Sequence, residues 1–309
     1  MNYRGCWEQG RDRLLAADPP DADAALDARL LLESVCGTSQ ETLLADGDRR
    51  VTKEEQRRYA LLIARRVAHE PTAYILGEQY FMGLCFRVTP AVLIPEQDTE
   101  TLVEEAMTAL HDGMRILDLC TGSGCILLSL LHYSNGTYGV GTDLSGEALA
   151  VAEENARALG LSARCRFCAG DLYEALPEGT HKFQLVISNP PYIASGVIPG
   201  LMPEVSCFEP RMALDGGEDG LVFYRRILAG IRSWLEPGGL CLFETGSDEG
   251  EAVAALMRAE GFGQVRIARD LGGMDRVVRG MLPMRRNAAR ETNHAGINAG
   301  QAPGARAPE

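Results

Sequence analysis

The residues best suited to chemistry stand at the end of a compact apolar run, Phe183-Gln-Leu-Val-Ile-Ser188, which continues into Asn189-Pro190-Pro191-Tyr192. The run reads as a buried parallel strand. Two consecutive prolines remove two backbone donors and fix two φ angles, so the strand stops at Asn189. A residue before proline is held out of the αR region, which leaves Asn189 extended at the strand end. In an open α/β sheet that carboxyl edge is where ligands bind. The corner therefore offers an oriented carboxamide, a rigid carbonyl row and an aromatic face, suited to a flat group bearing an amide or amino nitrogen.

A second set of residues suggests what would react there. Thr121-Gly122-Ser123-Gly124 follows the strand-like Arg115 to Cys120, and such a turn brings backbone close to a ligand. The third glycine of a dinucleotide fingerprint is replaced by Leu127, and no Gly-Lys-Ser/Thr opens the next helix. Three acids, Asp118, Asp143 and Asp171, stand at the ends of three successive strands. S-adenosylmethionine has no phosphates and carries a cationic amino-acid end, so it suits acids better than a phosphate cradle does. Asp118 is expected to face that cationic end, Asp143 to accept the ribose hydroxyls, and Asp171 to accept from the adenine amino group with Leu172 over the ring. A sulfonium methyl beside the corner would then meet a nitrogen whose N–H groups are held by the Asn189 side-chain oxygen and the Pro190 carbonyl. Those bonds aim the lone pair and stabilise the developing charge, while Tyr192 stacks on the planar group.

The elements that must position these groups fall into two regions. Residues 1–72 read as helices. Asp23 to Val35 carries Leu26, Leu30, Leu31 and Val35 on one face before Gly37. Thr38 with Glu41, and Thr52 with Glu55, fit capping boxes. The helix after Thr52 turns Tyr59, Leu62, Ile63 and Val67 inward. It also carries Arg57, Arg58, Arg65 and Arg66, either a solvated basic face or a docking surface. Residues 73–95 change period and read as a linking β-hairpin. Residues 96–282 open with a helix capped by Asp98 or Thr99 and then alternate strand and helix, the pattern of a doubly wound sheet, with a late strand pair at one edge. Residues 283–309 lack periodicity and read as a disordered tail.

Composition narrows the classes. With 46% hydrophobic and 24% charged residues the chain can bury a core, and no run approaches the ~18 apolar residues of a membrane span. Nothing at the N-terminus resembles a signal peptide, so a cytoplasmic location is expected. A formal charge of −13 argues against a broad nucleic-acid surface and direct DNA binding. The nine cysteines form no disulfide-like framework. Cys165 and Cys168 are expected on opposite faces of one strand as ordinary thiols, so no metal site is expected.

The chain resembles the protein-glutamine N5-methyltransferases of peptide chain release factors, the PrmC or HemK family. The likeness runs through Leu282 and rests on Tyr74-Ile-Leu-Gly77, Leu93-Ile-Pro95 with Asp98-Thr-Glu100, Asp118 to Gly124, and Asn189 to Tyr192. It also includes Phe208-Glu-Pro-Arg211 through Leu214-Asp-Gly-Gly217 to Asp219-Gly220. The resemblance implies the Rossmann-like fold of class I S-adenosylmethionine-dependent methyltransferases, a seven-stranded mostly parallel sheet behind a small N-terminal helical bundle and a hairpin. It further implies methylation of the glutamine in the Gly-Gly-Gln loop of class 1 release factors, gripped by the N-terminal helices. By position, Cys120, Thr121, Gly122, Ser123, Gly124, Asp143, Leu172 and Asn189 would contact the cofactor. Asn189, Pro190, Pro191 and Tyr192 would contact the glutamine, with Phe81 walling the pocket. Two residues depart from the family pattern. Cys120 replaces a usual glycine and is tolerable if its φ is negative, and Glu96 replaces a common arginine. The alternatives are an N6-adenine methyltransferase, disfavoured by the acidic charge and the Phe208 to Gly220 block, and a non-catalytic module that binds release factors.

Overall fold

A computed structural model describes residues 1–284, and the expected tail from residue 285 onward lies outside the described residues. Four helices come first: α1 (Tyr3–Leu15), α2 (Ala24–Cys36), α3 (Gln40–Ala45) and α4 (Lys53–Val67). The capping box at Thr52 forms, with Glu55 N–H donating to Thr52 Oγ1 at 3.2 Å and Thr52 N–H donating to Glu55 Oε2 at 2.7 Å. The other expected box does not form, because Ser39 rather than Thr38 caps α3. The inward stripe of α2 is Ala24, Ala28, Leu31, Leu32 and Val35. Leu26 is 43% exposed, since α1 and α4 pack on the opposite side, where the Tyr59 hydroxyl donates to the Ala28 carbonyl at 3.0 Å. The arginines of α4 do not form one face. Arg57 pairs with Glu54 and Arg65 with Glu70, while Arg66 is buried among acids.

The linker differs from the expected hairpin. A short helix, α5 (Thr72–Leu76), follows Pro71 and ends at Gly77, whose φ of +80° needs no Cβ penalty. Only then come β1 (Glu78–Phe81) and β2 (Leu84–Arg87), paired antiparallel. Pro71 and Gly77 fence off one helical turn within a stretch whose apolar residues, taken alone, read as alternating.

The larger region continues with α6 (Gln97–Met107), β3 (Arg115–Leu119), α7 (Cys125–His132), β4 (Tyr138–Asp143), α8 (Gly146–Ala158), β5 (Cys165–Ala169) and β6 (Phe183–Ser188). Two short helices, α9 (Pro203–Phe208) and α10 (Arg211–Leu214), precede α11 (Val222–Gly230), β7 (Leu235–Glu244), α12 (Gly250–Ala259), β8 (Gly263–Arg269) and β9 (Asp275–Met281). The seven strands lie in the order β5-β4-β3-β6-β7-β9-β8. Strands β3 to β7 are parallel, and β9 is antiparallel to both β7 and β8. The fold class expected from the sequence is the one present. Among the described residues, no helix is long and apolar enough to cross a membrane.

Pleat parity decides which face each side chain serves. Leu117 and Leu119 of β3, Val186 of β6, and Cys241 and Phe243 of β7 join one core cluster. Ile116, Leu185, Ile187, Leu240 and Leu242 join the other, under α6 and α7. Each fully buried aliphatic or aromatic side chain contributes ~1.5–3 kcal/mol, so a one-residue slip that exchanged the two faces would be expensive. That cost fixes where Asp118, Asn189 and Glu244, at the same strand ends, must point.

Candidate active site

The chain builds outward from β3 through β4 to β5, then restarts on the other side with β6 and β7. Strand order therefore reverses between β3 and β6, and a crevice opens above their carboxyl ends. A cavity of about 320 Å³ lies there, within the ~300–1,000 Å³ range of small-molecule sites. Its floor is Cys120 to Ser123, one side is Asp143, Leu144, Asp171 and Leu172, and Asn189 and Pro191 stand opposite.

The turn is held by backbone bonds. Thr121 N–H donates to Thr142 C=O at 3.0 Å and Gly124 N–H to Thr121 C=O at 2.8 Å. Gly122 has φ +54°, and a Cβ there would meet nothing within 4 Å, so its backbone is open to a ligand. Cys120 has φ +59°. The condition for tolerating a side chain there, a negative φ, is therefore not met, and this residue sits in the left-handed region that favours glycine. Its thiol is pushed up by burial and by the Asp143 and Asp118 carboxyls. Leu172 has φ +50° and also lines the cavity, a second strained residue at the site.

The three acids have different surroundings. Asp143 lines the cavity, its Oδ2 accepting from Gly122 N–H and its Oδ1 from Ser145 N–H, both at 2.9 Å. Burial raises its pKa and these bonds oppose the rise. Each carboxylate oxygen keeps a second lone pair for a ligand hydroxyl. Asp118 does not reach the cavity, contrary to expectation. It is 0% exposed, because parity places it on the Ile116 side of β3, beneath the turn. Thr121 Oγ1 donates to its Oδ2 at 2.6 Å, and its Oδ1 has no partner. Burial pushes its pKa up to about 7. Asp171 lines the cavity, but its Oδ2 is taken by Arg226 at 2.7 Å. Asp171 therefore meets the cavity as one half of an ion pair.

At the corner, Asn189 shares the parity of Leu185 and Ile187, so it points toward α6. Its Nδ2 donates to Thr99 Oγ1 at 3.3 Å, and its residue lines the cavity. Pro190 is buried. Tyr192 does not line the cofactor-sized cavity; it packs on the core cluster under α11, where burial and the Glu244 and Glu96 carboxyls raise its pKa. Phe81 is also away from the cavity. It is 1% exposed and packs edge-on against Phe86, with ring centroids 6.1 Å apart, so it braces the hairpin instead.

Several residues on the site escaped sequence reasoning. Arg226 and Phe223 of α11 reach the cavity wall, with the guanidinium 5.7 Å from the Phe223 ring. The i, i+3 spacing on a helix was visible, but nothing local said which crevice it faced. Pro210, Met212 and Ala213 roof the cavity. Their block is tied to the corner through Ile193 N–H to Leu214 C=O at 2.9 Å and Gly216 N–H to Ile193 C=O at 2.8 Å. Glu96, where the sequence departs from the pattern, stands at the N-cap position of α6 without a side-chain capping bond, and Asp98 and Thr99, expected as caps, lie inside the first turn. The Glu96 carboxyl pKa is raised by desolvation and the Asp98 charge, with Arg276 opposing. Cys165 and Cys168 are free thiols of β5.

Known proteins resemble this chain in both of its regions. Residues 6–77 match the family model described as the PrmC N-terminal domain, and residues 110–269 match one described as a methyltransferase domain. A release factor glutamine methyltransferase of Caulobacter vibrioides is 42% identical over 89% of this chain and 94% of its own length. One from Bordetella pertussis is 44% identical over 87% and 98%. A solved structure from Alicyclobacillus acidocaldarius, a release factor-specific protein-(glutamine-N5) methyltransferase, is 30% identical, with a TM-score of 0.38 over 64% of this chain and 99% of its own. At this identity over nearly the whole length of such relatives, the chain belongs to the release factor glutamine methyltransferase family.

Proposed function

We infer that the protein methylates the side-chain amide nitrogen (N5) of the glutamine in the Gly-Gly-Gln motif of class 1 peptide chain release factors, with S-adenosylmethionine as donor. The observation that carries this reading is Asn189, held at the cavity wall by a bond through its Nδ2, which leaves its Oδ1 for an incoming N–H. The donor supplies an electrophilic sulfonium methyl. The wall suits it: acidic at Asp143 for the ribose, aliphatic at Leu144 and Leu172 for the base, and open along the Gly122 backbone.

An amide nitrogen is a poor nucleophile because its lone pair is delocalised into the carbonyl. Asn189 Oδ1 and the Pro190 carbonyl accept the two N–H groups of the glutamine amide and turn the lone pair toward the methyl. Their partial negative charge stabilises the nitrogen as the new N–C bond forms and the methyl–sulfur bond breaks, with the sulfur keeping the electron pair and leaving as S-adenosylhomocysteine. One N–H proton then leaves to solvent, and no strong base is needed. Residues 1–72 provide the surface that recognises the factor, which the protein meets in the cytoplasm.

Asn189→Ala tests the reading. With purified release factor and mass spectrometry of the Gly-Gly-Gln peptide, methyl transfer should fall by roughly 10²–10³-fold, the scale of losing one transition-state hydrogen bond. Affinity for S-adenosylhomocysteine should change by no more than a few-fold. Equal losses in both, or methyl label entering nucleic acid instead of the factor, would overturn the assignment.

A further inference from the structure

Two buried side chains beside Asn189, Thr99, which also lines the cavity, and Glu244, are not used by the reaction as described so far. Thr99 is 3% exposed in the first turn of α6 and accepts the Asn189 Nδ2 proton. Glu244 is 1% exposed at the end of β7, and its Oε2 has no hydrogen-bond partner. The Thr99 hydroxyl is also near enough to the Glu244 carboxyl to oppose the rise in its pKa. The register Ser188↔Phe243 sets Asn189 and Glu244 side by side at the ends of adjacent strands. Both have the parity that faces α6, and Thr99 sits between them.

We propose that Thr99 and Glu244 are positioning residues that fix which way the Asn189 carboxamide is turned, with Oδ1 toward the substrate amide. The proposal rests on Asn189 being the group that holds that amide. Donor counting gives the mechanism. A hydroxyl has one proton. When Glu244 is ionised it can only accept, so Thr99 donates to it and can only accept from Asn189. The carboxamide must then present Nδ2 to Thr99 and Oδ1 to the cavity. When Glu244 is protonated it can donate to Thr99, and the threonine proton is free to point at Asn189. The flipped carboxamide, with Nδ2 facing the cavity, then becomes available, and it would meet the substrate N–H groups donor to donor.

The surroundings make this a switchable arrangement. Burial pushes Glu244 up to about 8, with Glu96 and Asp98 raising it further and Thr99 and Arg276 opposing. Tyr192, Tyr224 and Cys125 also lie in its field. Tyr224 bonds only the Glu244 backbone carbonyl, at 2.8 Å, and Arg276 is engaged by Asp98 and Asp270. The acid is protonated below its pKa and ionised above it, so the orienting form gains population as pH rises.

The experiment measures kcat, KM for release factor and S-adenosylhomocysteine affinity from pH 6 to 9 for the wild type, Thr99→Val, Thr99→Ser, Glu244→Gln and Asn189→Ala. Wild-type kcat should rise with pH toward about 8. Thr99→Val should lower kcat by about tenfold to a hundredfold, the scale of misorientation at a reacting group, with KM and cofactor-product affinity within about twofold. Thr99→Ser should restore most of the loss, and Glu244→Gln should flatten the pH profile. If Thr99→Val folds poorly, the near-isosteric Glu244→Gln profile decides. A Thr99→Val enzyme within twofold of wild type, or a Glu244→Gln enzyme with an unchanged pH profile, would overturn the proposal while an inactive Asn189→Ala keeps the reading of the corner. An active Asn189→Ala would overturn that reading too.

Discussion

At Cys120 a side chain occupies backbone that glycine would adopt freely, at φ +59° beneath the cavity. A Cβ in the left-handed region costs about 1–2 kcal/mol, partly offset because glycine loses more entropy on folding. Cys120→Gly should therefore stabilise the protein by up to about 1 kcal/mol, seen as a rise of a few degrees in thermal unfolding. Binding of S-adenosylhomocysteine should be kept, because the turn bonds of Thr121 and Gly124 are backbone to backbone. A drop in melting temperature would mean that sulfur packing against the core outweighs the strain. Leu172, at φ +50°, is strained in the same way but covers the cavity with its side chain; replacing it by glycine would remove a wall.

Among the elements, α8 connects the linker to the site through one residue. Asn155 Oδ1 accepts from Arg87 N–H at 2.7 Å, and its Nδ2 donates to Arg87 C=O at 3.1 Å and to Ser123 C=O at 2.9 Å. One buried carboxamide thus joins β2 to the glycine turn. Asn155→Ala leaves these backbone groups unpaired, each worth about 1–3 kcal/mol when buried. Denaturant unfolding should show a loss of at least about 2 kcal/mol, with weaker S-adenosylhomocysteine binding as the Ser123 peptide relaxes. Unchanged stability would mean that water replaces the carboxamide. Residues expected near the substrate, such as Phe81, serve this same bracing of the hairpin.

Across the whole molecule, Arg66 links the N-terminal helices to the segment that roofs the cavity. It pairs with Asp21 at 3.0 Å, Asp27 at 2.6 Å and Glu204 of α9 at 3.0 Å, all largely buried. Burial raises the Asp27 pKa and Arg66 opposes the rise. Removing one partner of a buried ion pair strands the other charges. Arg66→Ala should therefore cost about 3–5 kcal/mol in chemical denaturation, and a companion Asp27→Leu should recover part of it. A loss below about 1 kcal/mol would mean the network behaves like a surface pair. Because α9 leads directly to Pro210 and Met212 on the cavity wall, the same variant should also lower methyl-transfer rates.

Some of this molecule was legible in local order along the chain. Glycines and prolines restrict or free φ at their own positions, so the Gly122 turn, the strand stop at Asn189 and the strand–helix alternation could be read directly. The Thr52 box was readable for the same reason, since both partners lie within one helical turn. What depended on packing was not. Asp118 was placed at the right strand end but on the hidden face, and Phe81 and Tyr192 were turned into cores. Asp171 acquired a partner, Arg226, 55 residues away, and Arg66 left its expected basic face for three acids distant in the chain. The sequence alone determined the Asn189 to Tyr192 corner and the sheet behind it, because steric limits on single residues act without knowledge of neighbours. Only the tertiary structure decided which face of each strand end meets the cavity and which side chains stand behind Asn189, because those choices minimise buried apolar and unpaired polar surface over the entire fold.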